Sequence, residues 1–245
     1  MAAVPPDRLA ALNAGTAEAR TLAECLAVDQ AALARVVTGD ETVVRTAADA
    51  KALGISRQMA AVGAVLAASV PADALERLAA HPSDTVRGWA AFAVGQAGEV
   101  PLERRLAAQR RFAADPHFGV REWAWLAVRP FVLQDIGAAI AALVPWTADP
   151  DANIRRFAVE ATRPRGVWCG HCAALKRDPS PGLVLLAPLR ADPARYVQDS
   201  VANWLNDAAK TAPDWVRAVC AGWDGAGNPA TARIIQRAMR SLSKG

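Results

Sequence analysis

Glu160 stands four residues after Arg156 and three before Arg163, with Arg165 and Trp168 following just beyond Pro164. On a helix the first three share a side, because residues at i, i+3 and i+4 are neighbours on its surface. A fixed carboxylate between guanidinium groups stays ionised and can stabilise positive charge that develops on a reactant. Guanidinium forks suit phosphate oxygens, and an indole offers a flat face to a ring or a cation. Ile154, Phe157, Ala158 and Ala161 recur at helical spacing on a different side, which turns the charged residues away from a core. Position alone leaves Glu160 open between a structural ion pair and a working group. A second cluster lies in Ser-Val-Ala-Asn-Trp-Leu-Asn-Asp-Ala-Ala-Lys, residues 200 to 210. Asn203, Asn206 and Asp207 fall within one turn, and Lys210 is one turn further on. The ordinary reading is a helix end whose Lys favours the C-terminal dipole.

The elements that must position these groups repeat along the chain. HPSDTVRGWAAFAV begins at 81, DPHFGVREWAWLAV at 115, DPDANIRRFAVEAT at 149 and DPARYVQDSVANWL at 192, with a weaker copy, NPATARIIQRAMRS, at 228. A period in the thirties to forties is that of a two-helix repeat. Asp115, Asp149, Asp192 and Asn228 each precede Pro, so each is expected to cap the following helix. Second helices are expected at Leu102 to Ala114 and Asp135 to Val144. The step from 149 to 192 is longer than the two before it, and the excess falls around RPRGVWCGH, a loop beside the charged cluster. On a 100° wheel Val86, Ala90 and Ala93 face the core. The opposite side holds Gly88, Ala91 and Gly95, then Glu122, Trp125 and Arg129, then Arg156, Val159 and Arg163, then Asp199, Ala202 and Asn206. Residues 1 to 80 read as four or five short helices without evident chemistry, with Gly54 as one stop. D-P-x-x-x-V-R-x-x-A resembles HEAT repeats. The expectation is an all-α chain, an α-solenoid of HEAT-like two-helix repeats forming a single domain with a concave face, its N-terminal helical part at 1–80 and the repeats carrying the site at 81–245.

Composition narrows the partners. The chain has 245 residues and a net charge of +4. Residues 1 to 80 hold 7 basic and 9 acidic side chains, and residues 81 to 245 hold 21 and 15, so the positive charge lies with the repeats. Of the cations 24 are Arg and 4 are Lys, which points to a polyanion. No apolar run reaches the roughly 18 residues that span a bilayer, and the first residues do not read as a signal peptide. A cytoplasmic protein with reduced thiols is expected. Trp168-Cys169-Gly170-His171-Cys172 matches a disulfide-isomerase motif, but the strand that should precede such a motif is absent. Two Cys and one His make too few ligands for a closed metal site, so neither metal nor cofactor is expected. Cys25 and Cys220 read as small buried hydrophobes.

Three strings, VREWAWLAVRPF (120–131), NIRRFAVEATRPRGVW (153–168) and YVQDSVANWLNDAAKTAPDWV (196–216), resemble the HEAT-repeat alkylpurine DNA glycosylases, the AlkC branch more than AlkD. The resemblance spans about 100 residues, resting on R-P-R-x-x-W and S-V-A-N-x-L-N-D. It implies a concave face that grips double-stranded DNA and hydrolysis of the N-glycosidic bond of N3- or N7-alkylated purines by a monofunctional, cofactor-free enzyme, expected to act as a monomer. The acid before R-P-R corresponds to Glu160, the following Trp to Trp168 and the acid of N-D to Asp207, and these three carry the implied catalysis. The implied DNA-binding set is Trp125, Arg129, Arg156, Arg163, Arg165, Asn203, Asn206 and Lys210. A further acid of the family falls on Trp125, a departure that leaves room for a DNA-binding relative without catalysis or for a protein-interaction scaffold.

Overall fold

The computed structural model describes residues 3–223 and 227–242. Among these there is no strand, as an Ala-rich sequence with few β-branched runs requires. Contacts divide the chain into two compact units, Met1–Val128 and Arg129–Gly245. The first begins with α1 (Pro6–Asn13), α2 (Leu22–Ala27), α3 (Gln30–Val37), α4 (Glu41–Asp49), α5 (Ile55–Ser69) and α6 (Ala72–Ala79). These are six helices where the periodicity predicts four or five; Thr21 caps α2 and Asp29 caps α3, so one apolar stretch becomes two. Then come α7 (Asp84–Gln96), α8 (Leu102–Ala113) and α9 (Phe118–Gln134), in which the unit boundary falls. The second unit continues with α10 (Ile136–Leu143), α11 (Ala152–Glu160), α12 (Ala173–Arg177), α13 (Leu183–Leu186), α14 (Arg195–Ala209), α15 (Pro213–Trp223) and α16 (Pro229–Ala238). The expected second helices therefore appear as α8 and α10. No helix among the described residues is long and apolar enough to cross a membrane.

The Asp-Pro signature works differently from a plain cap, and the capping expectation is corrected for three of its four residues. Asp115, Asp149 and Asp192 each accept the backbone N–H two residues on, at 2.7, 2.9 and 2.8 Å, which makes a turn just ahead of the helix. The capping side chain of α11 is Asp151, and only Asn228 caps its helix directly. The Asp carboxylates serve the preceding repeat instead. Arg87 donates to Asp115 at 2.9 and 3.1 Å, and Arg155 donates to Asp192 at 2.6 and 3.0 Å. Each arginine also reaches back to the two carbonyls that open its own repeat, His81 and Pro82 for Arg87, Asp149 and Pro150 for Arg155. One guanidinium thus ties its own turn to the next one with a recessed, two-pronged ion pair. Removing one partner of such a pair costs about 3–5 kcal/mol.

In the first unit α7 is covered on two sides. A Cβ on Gly63 of α5 would lie 2.4 Å from the Phe92 Cβ, and one on Gly88 would lie 2.5 Å from the Trp123 ring of α9. Gly95 likewise faces Ala127, so Gly88, Ala91 and Gly95 are buried and do not form a solvent face. In the second unit α14 packs against α11 and α16, and Val159 and Ala202 are buried in turn. The expectation that one side of these helices is open therefore holds for none of the small residues named. Helices stacked in sequence must bury both flanks.

Candidate functional site

The site lies where α11 ends beside α14. Asp151 caps α11 at its start, accepting the Asn153 N–H at 2.8 Å. The helix closes at Glu160, so Arg163 follows on a tight turn, its N–H reaching the Glu160 carbonyl at 3.3 Å, and not on the helix itself as the spacing predicts. Pro164 prevents continuation. Arg129 satisfies the exposed carbonyls of this end, donating to Ala161 at 2.6 Å, Arg163 at 2.5 Å and Gly170 at 3.3 Å. Orphan carbonyls at a helix C-terminus favour such a cation.

Glu160 and Asp207 converge on one guanidinium. Arg163 donates Nη1 to Glu160 Oε2 at 3.2 Å and Nε to Asp207 Oδ2 at 2.9 Å. Its Nη2 lies 2.8 Å from the same Asp207 oxygen. The Ser200 hydroxyl donates to Glu160 Oε1 at 2.6 Å, and Arg156 lies 3.6 Å from that oxygen. Arg156 in turn stands over the Tyr196 ring, 4.2 Å from its centre. On the outer side Lys210 approaches Asp207 Oδ1 at 3.5 Å. The two carboxylates are recessed, at 3% and 5% exposure. Burial works to raise the pKa of Glu160, but Arg156, Arg163 and the Ser200 hydroxyl outweigh it and hold the carboxyl below its ordinary value. Burial likewise opposes the charge on Arg163, and the two acids more than restore it. The result is a pair of anions fixed in place by a cation they share.

The oxygens differ in how fully they are engaged. Among the described residues both oxygens of Glu160 have close partners, whereas Asp207 Oδ1 has the longer approach of a half-exposed Lys210 alone. Asp207 Oδ1 is thus the least closely held of the four carboxylate oxygens. Trp168 lies in the loop that follows, 47% exposed, with φ at 62°. That left-handed conformation is costly for a bulky residue and persists only where surroundings impose it. The loop is drawn tight: Cys172 N–H reaches the Pro164 carbonyl at 3.0 Å, and a Cβ on Gly166 would overlap the Cys169 sulfur.

Of the expected residues, Glu160, Asp207, Arg156, Arg163 and Lys210 come together. Trp168 and the half-buried Arg165 lie on the adjoining loop. Three others are buried. The Arg129 side chain is buried on backbone carbonyls, and burial lowers its pKa. Asn206 is buried and donates to the Ala238 carbonyl and the Ser241 hydroxyl. Trp125, in the first unit, is buried with its indole N–H on Glu122 at 2.8 Å. In each of the three the polar group is engaged inside its own unit. Asn203 accepts from Arg240 at 3.0 Å. Ser200, Tyr196 and Arg240 escaped the sequence reading, although Ser200 precedes Asp207 by two helical turns and so shares its side. Among the described residues no cluster of three or more His, Cys, Asp or Glu is placed to hold a metal.

No family model matches the chain. Over 81 residues, 33% of its length, it is 47% identical to the uncharacterized protein YhaZ of Bacillus subtilis (strain 168), covering 22% of that protein. Its structure superposes with TM-score 0.73 on the alkylpurine DNA glycosylase AlkC of Pseudomonas fluorescens bound to DNA containing an abasic site analogue. Identity there is 28%, over 99% of this chain and 66% of AlkC. AlkD2 from Streptococcus mutans gives a TM-score of 0.64 at 20% identity, over 82% of this chain and 97% of that one, and speaks to the fold alone. The chain therefore spans 66% of the AlkC structure and 22% of YhaZ. Its fold is the HEAT-like helical repeat shared by AlkC and AlkD2, nearer AlkC.

Proposed function

We propose that the chain is a DNA repair glycosylase that hydrolyses the N-glycosidic bond of N3- or N7-alkylated purines in duplex DNA. The observation that carries this reading is the convergence of Glu160 and Asp207 on Arg163, two recessed anions at the end of one repeat helix and the side of the next. An alkylated purine is already cationic, so it departs with the bonding electron pair as a neutral base and needs no acid. Positive charge then builds on the sugar at C1′. Asp207 Oδ1 is the oxygen left to face it, and it can accept the proton of the water that adds to C1′. Glu160 holds Arg163 in place and adds its own negative field. Donors and anions fixed before reaction lose nothing to reorganisation, and one such group is worth about 2.7–4 kcal/mol. Trp168 offers a face for the cationic base or the deoxyribose, which is worth about 0.5–2 kcal/mol. Arg156 and Arg165 supply positive charge, and Asn203 and Lys210 flank the outer side, in the manner of groups that hold backbone without reading sequence.

The reading needs no cofactor, and it includes a monomeric protein at work in the cytoplasm. Its test is release of methylated purine from alkylated duplex by the purified chain, with Asp207→Asn and Glu160→Gln alongside. Loss of about a hundredfold or more in each variant, with duplex affinity kept, is the expected result. Wild-type protein that retains duplex but frees no base reduces the reading to DNA binding alone. Retention of neither base release nor duplex leaves a protein-interaction scaffold.

A further inference from the structure

The repeat that follows Asp207 contributes a cation that the sequence reading passed over. Arg233, Arg237 and Arg240 succeed one another along α16 and the turn after it. The first two share an acid: Asp199 lies 2.6 Å from Arg233 and 2.9 Å from Arg237. Arg240 differs from them. Its Nη1 donates to the Arg237 carbonyl at 2.7 Å and its Nη2 to the Asn203 amide oxygen at 3.0 Å. Among the described residues it has no carboxylate within ion-pair distance. Both of its partners are neutral, so its charge is oriented but not cancelled.

The surroundings favour an anion there. Desolvation, then repulsion from Arg237 and Arg163, pulls the Arg240 pKa below the usual guanidinium value even with Asp207 in range. Burial opposes a charge of either sign, whereas the repulsion from Arg237 and Arg163, set against Asp207 and Asp199, is the part that favours an anion. Arg156, Arg163, Lys210 and Arg240 surround only Glu160 and Asp207, and both carboxylates are recessed while Lys210 and Arg240 are exposed. The outer layer of the site is therefore positive, and in the inner layer Arg156 and Arg163 balance the two carboxylates. A nucleotide presents its phosphates outermost, where that positive layer lies.

We infer that Arg240, oriented by Asn203, holds a backbone phosphodiester of duplex DNA on the α16 side of Asp207. The inference rests on the glycosylase reading and adds to it a phosphate anchor from the repeat beyond the carboxylates. Lys210 supplies the matching charge on the other side of Asp207. Arg233 and Arg237 share Asp199, which offsets one of their two charges and holds both guanidinium groups to itself.

The test is the salt dependence of binding to an unmodified duplex of about 20 base pairs, a length comfortably longer than a few phosphate contacts. Wild type, Arg240→Gln and Arg240→Lys are compared, with Arg217→Gln as a surface control whose guanidinium pairs only with exposed Asp214. One lost phosphate contact lowers the slope of log K against log salt by about 0.9. The gap between wild type and Arg240→Gln should accordingly narrow roughly three- to fourfold between 50 and 200 mM salt. Arg240→Lys should recover the slope, since a point charge suffices, and Arg217→Gln should leave it unchanged. Wild type that binds duplex with a slope shared by Arg240→Gln overturns the inference and spares the glycosylase reading. Equal loss of thermal midpoint in both Arg240 variants with the slope untouched assigns the residue a structural role and also overturns it. Wild type without duplex affinity removes both.

Discussion

Replacing Arg163 by Gln should do more than weaken one helix end. The guanidinium is the common partner of Glu160 and Asp207, at 3.2 and 2.8 Å. Without it Glu160 keeps the Ser200 hydroxyl and Arg156 at 3.6 Å, and Asp207 keeps, among the described residues, Lys210 at 3.5 Å. Breaking a buried pair by removing one member costs about 3–5 kcal/mol, because the other charge stays buried and uncompensated. For a chain of this size each kcal/mol moves the midpoint by about 2–4 °C, so a fall of roughly 6–20 °C is expected at pH 7. The pH dependence should also change sign. In the wild type the folded Glu160 carboxyl lies below its ordinary value. Its stabilisation is therefore complete above about pH 4.3, the unfolded value, and is lost as pH falls through the folded one. In the variant burial, the largest single influence on this carboxyl, should outweigh Arg156 and the Ser200 hydroxyl, so that the folded value is expected above the unfolded one and the ionised form to be a burden at neutral pH. Stability of Arg163→Gln should then increase as pH is lowered from 7 toward 5, over a range where this group leaves the wild type unchanged. Glu160→Gln placed on top should restore part of the loss. Urea titrations at several pH values measure all of this. A single variant within about 1 kcal/mol of wild type, with the same pH response, would refute the shared-cation account.

Two further outcomes concern packing and thiols. Gly63→Ala should lower stability by about 1–3 kcal/mol or more, because its Cβ would meet the Phe92 Cβ at 2.4 Å and the Ala93 nitrogen at 3.0 Å, neither on a flexible arm; a thermal midpoint equal to wild type would contradict the close approach of α5 and α7. At pH 8 a maleimide should modify Cys169 in the native protein and leave the other three cysteines until unfolding. Cys25 is pushed up to about 12 and Cys220 to about 11, mainly by burial, Cys172 is buried, and Cys169 alone is partly open. Peptide mapping that finds a second thiol modified as quickly would be inconsistent with this.

Much of the fold was legible because each repeat restates the same short string, and a period of that length admits few architectures. Such a period sets α11 beside α14, and that pairing is what brings Glu160 and Asp207 to one guanidinium. What the string conceals is direction. A helical wheel assigns one buried side per helix, yet α7 and α14 have neighbours on two, so Gly88 and Ala202 are as buried as Val86. Arginine is the harder case. Arg129, Arg155 and Arg163 look alike in sequence, but one grips carbonyls, one grips the next turn's aspartate and one bridges the acids. Only the end point of a long side chain tells them apart, and spacing does not fix an end point. Ser200 was within reach: it shares a side with Asp207, but a lone hydroxyl has no signature until its acceptor is known.

The arginines that bind forward also govern how such a chain can grow or shrink. Because Arg87 and Arg155 each need an aspartate supplied by the coil after their own, a deletion ending between them and that aspartate strands a guanidinium in a dry seam. A change of length that keeps these pairs intact removes or adds whole coils. In α14 the corresponding position is Gln198, which still turns back to the Asp192 carbonyl at 2.8 Å but carries no charge to be met, and the coil after it opens with Asn228. At this repeat an amide stands where the forward ion pair would be, so the seam after α14 needs no aspartate across it.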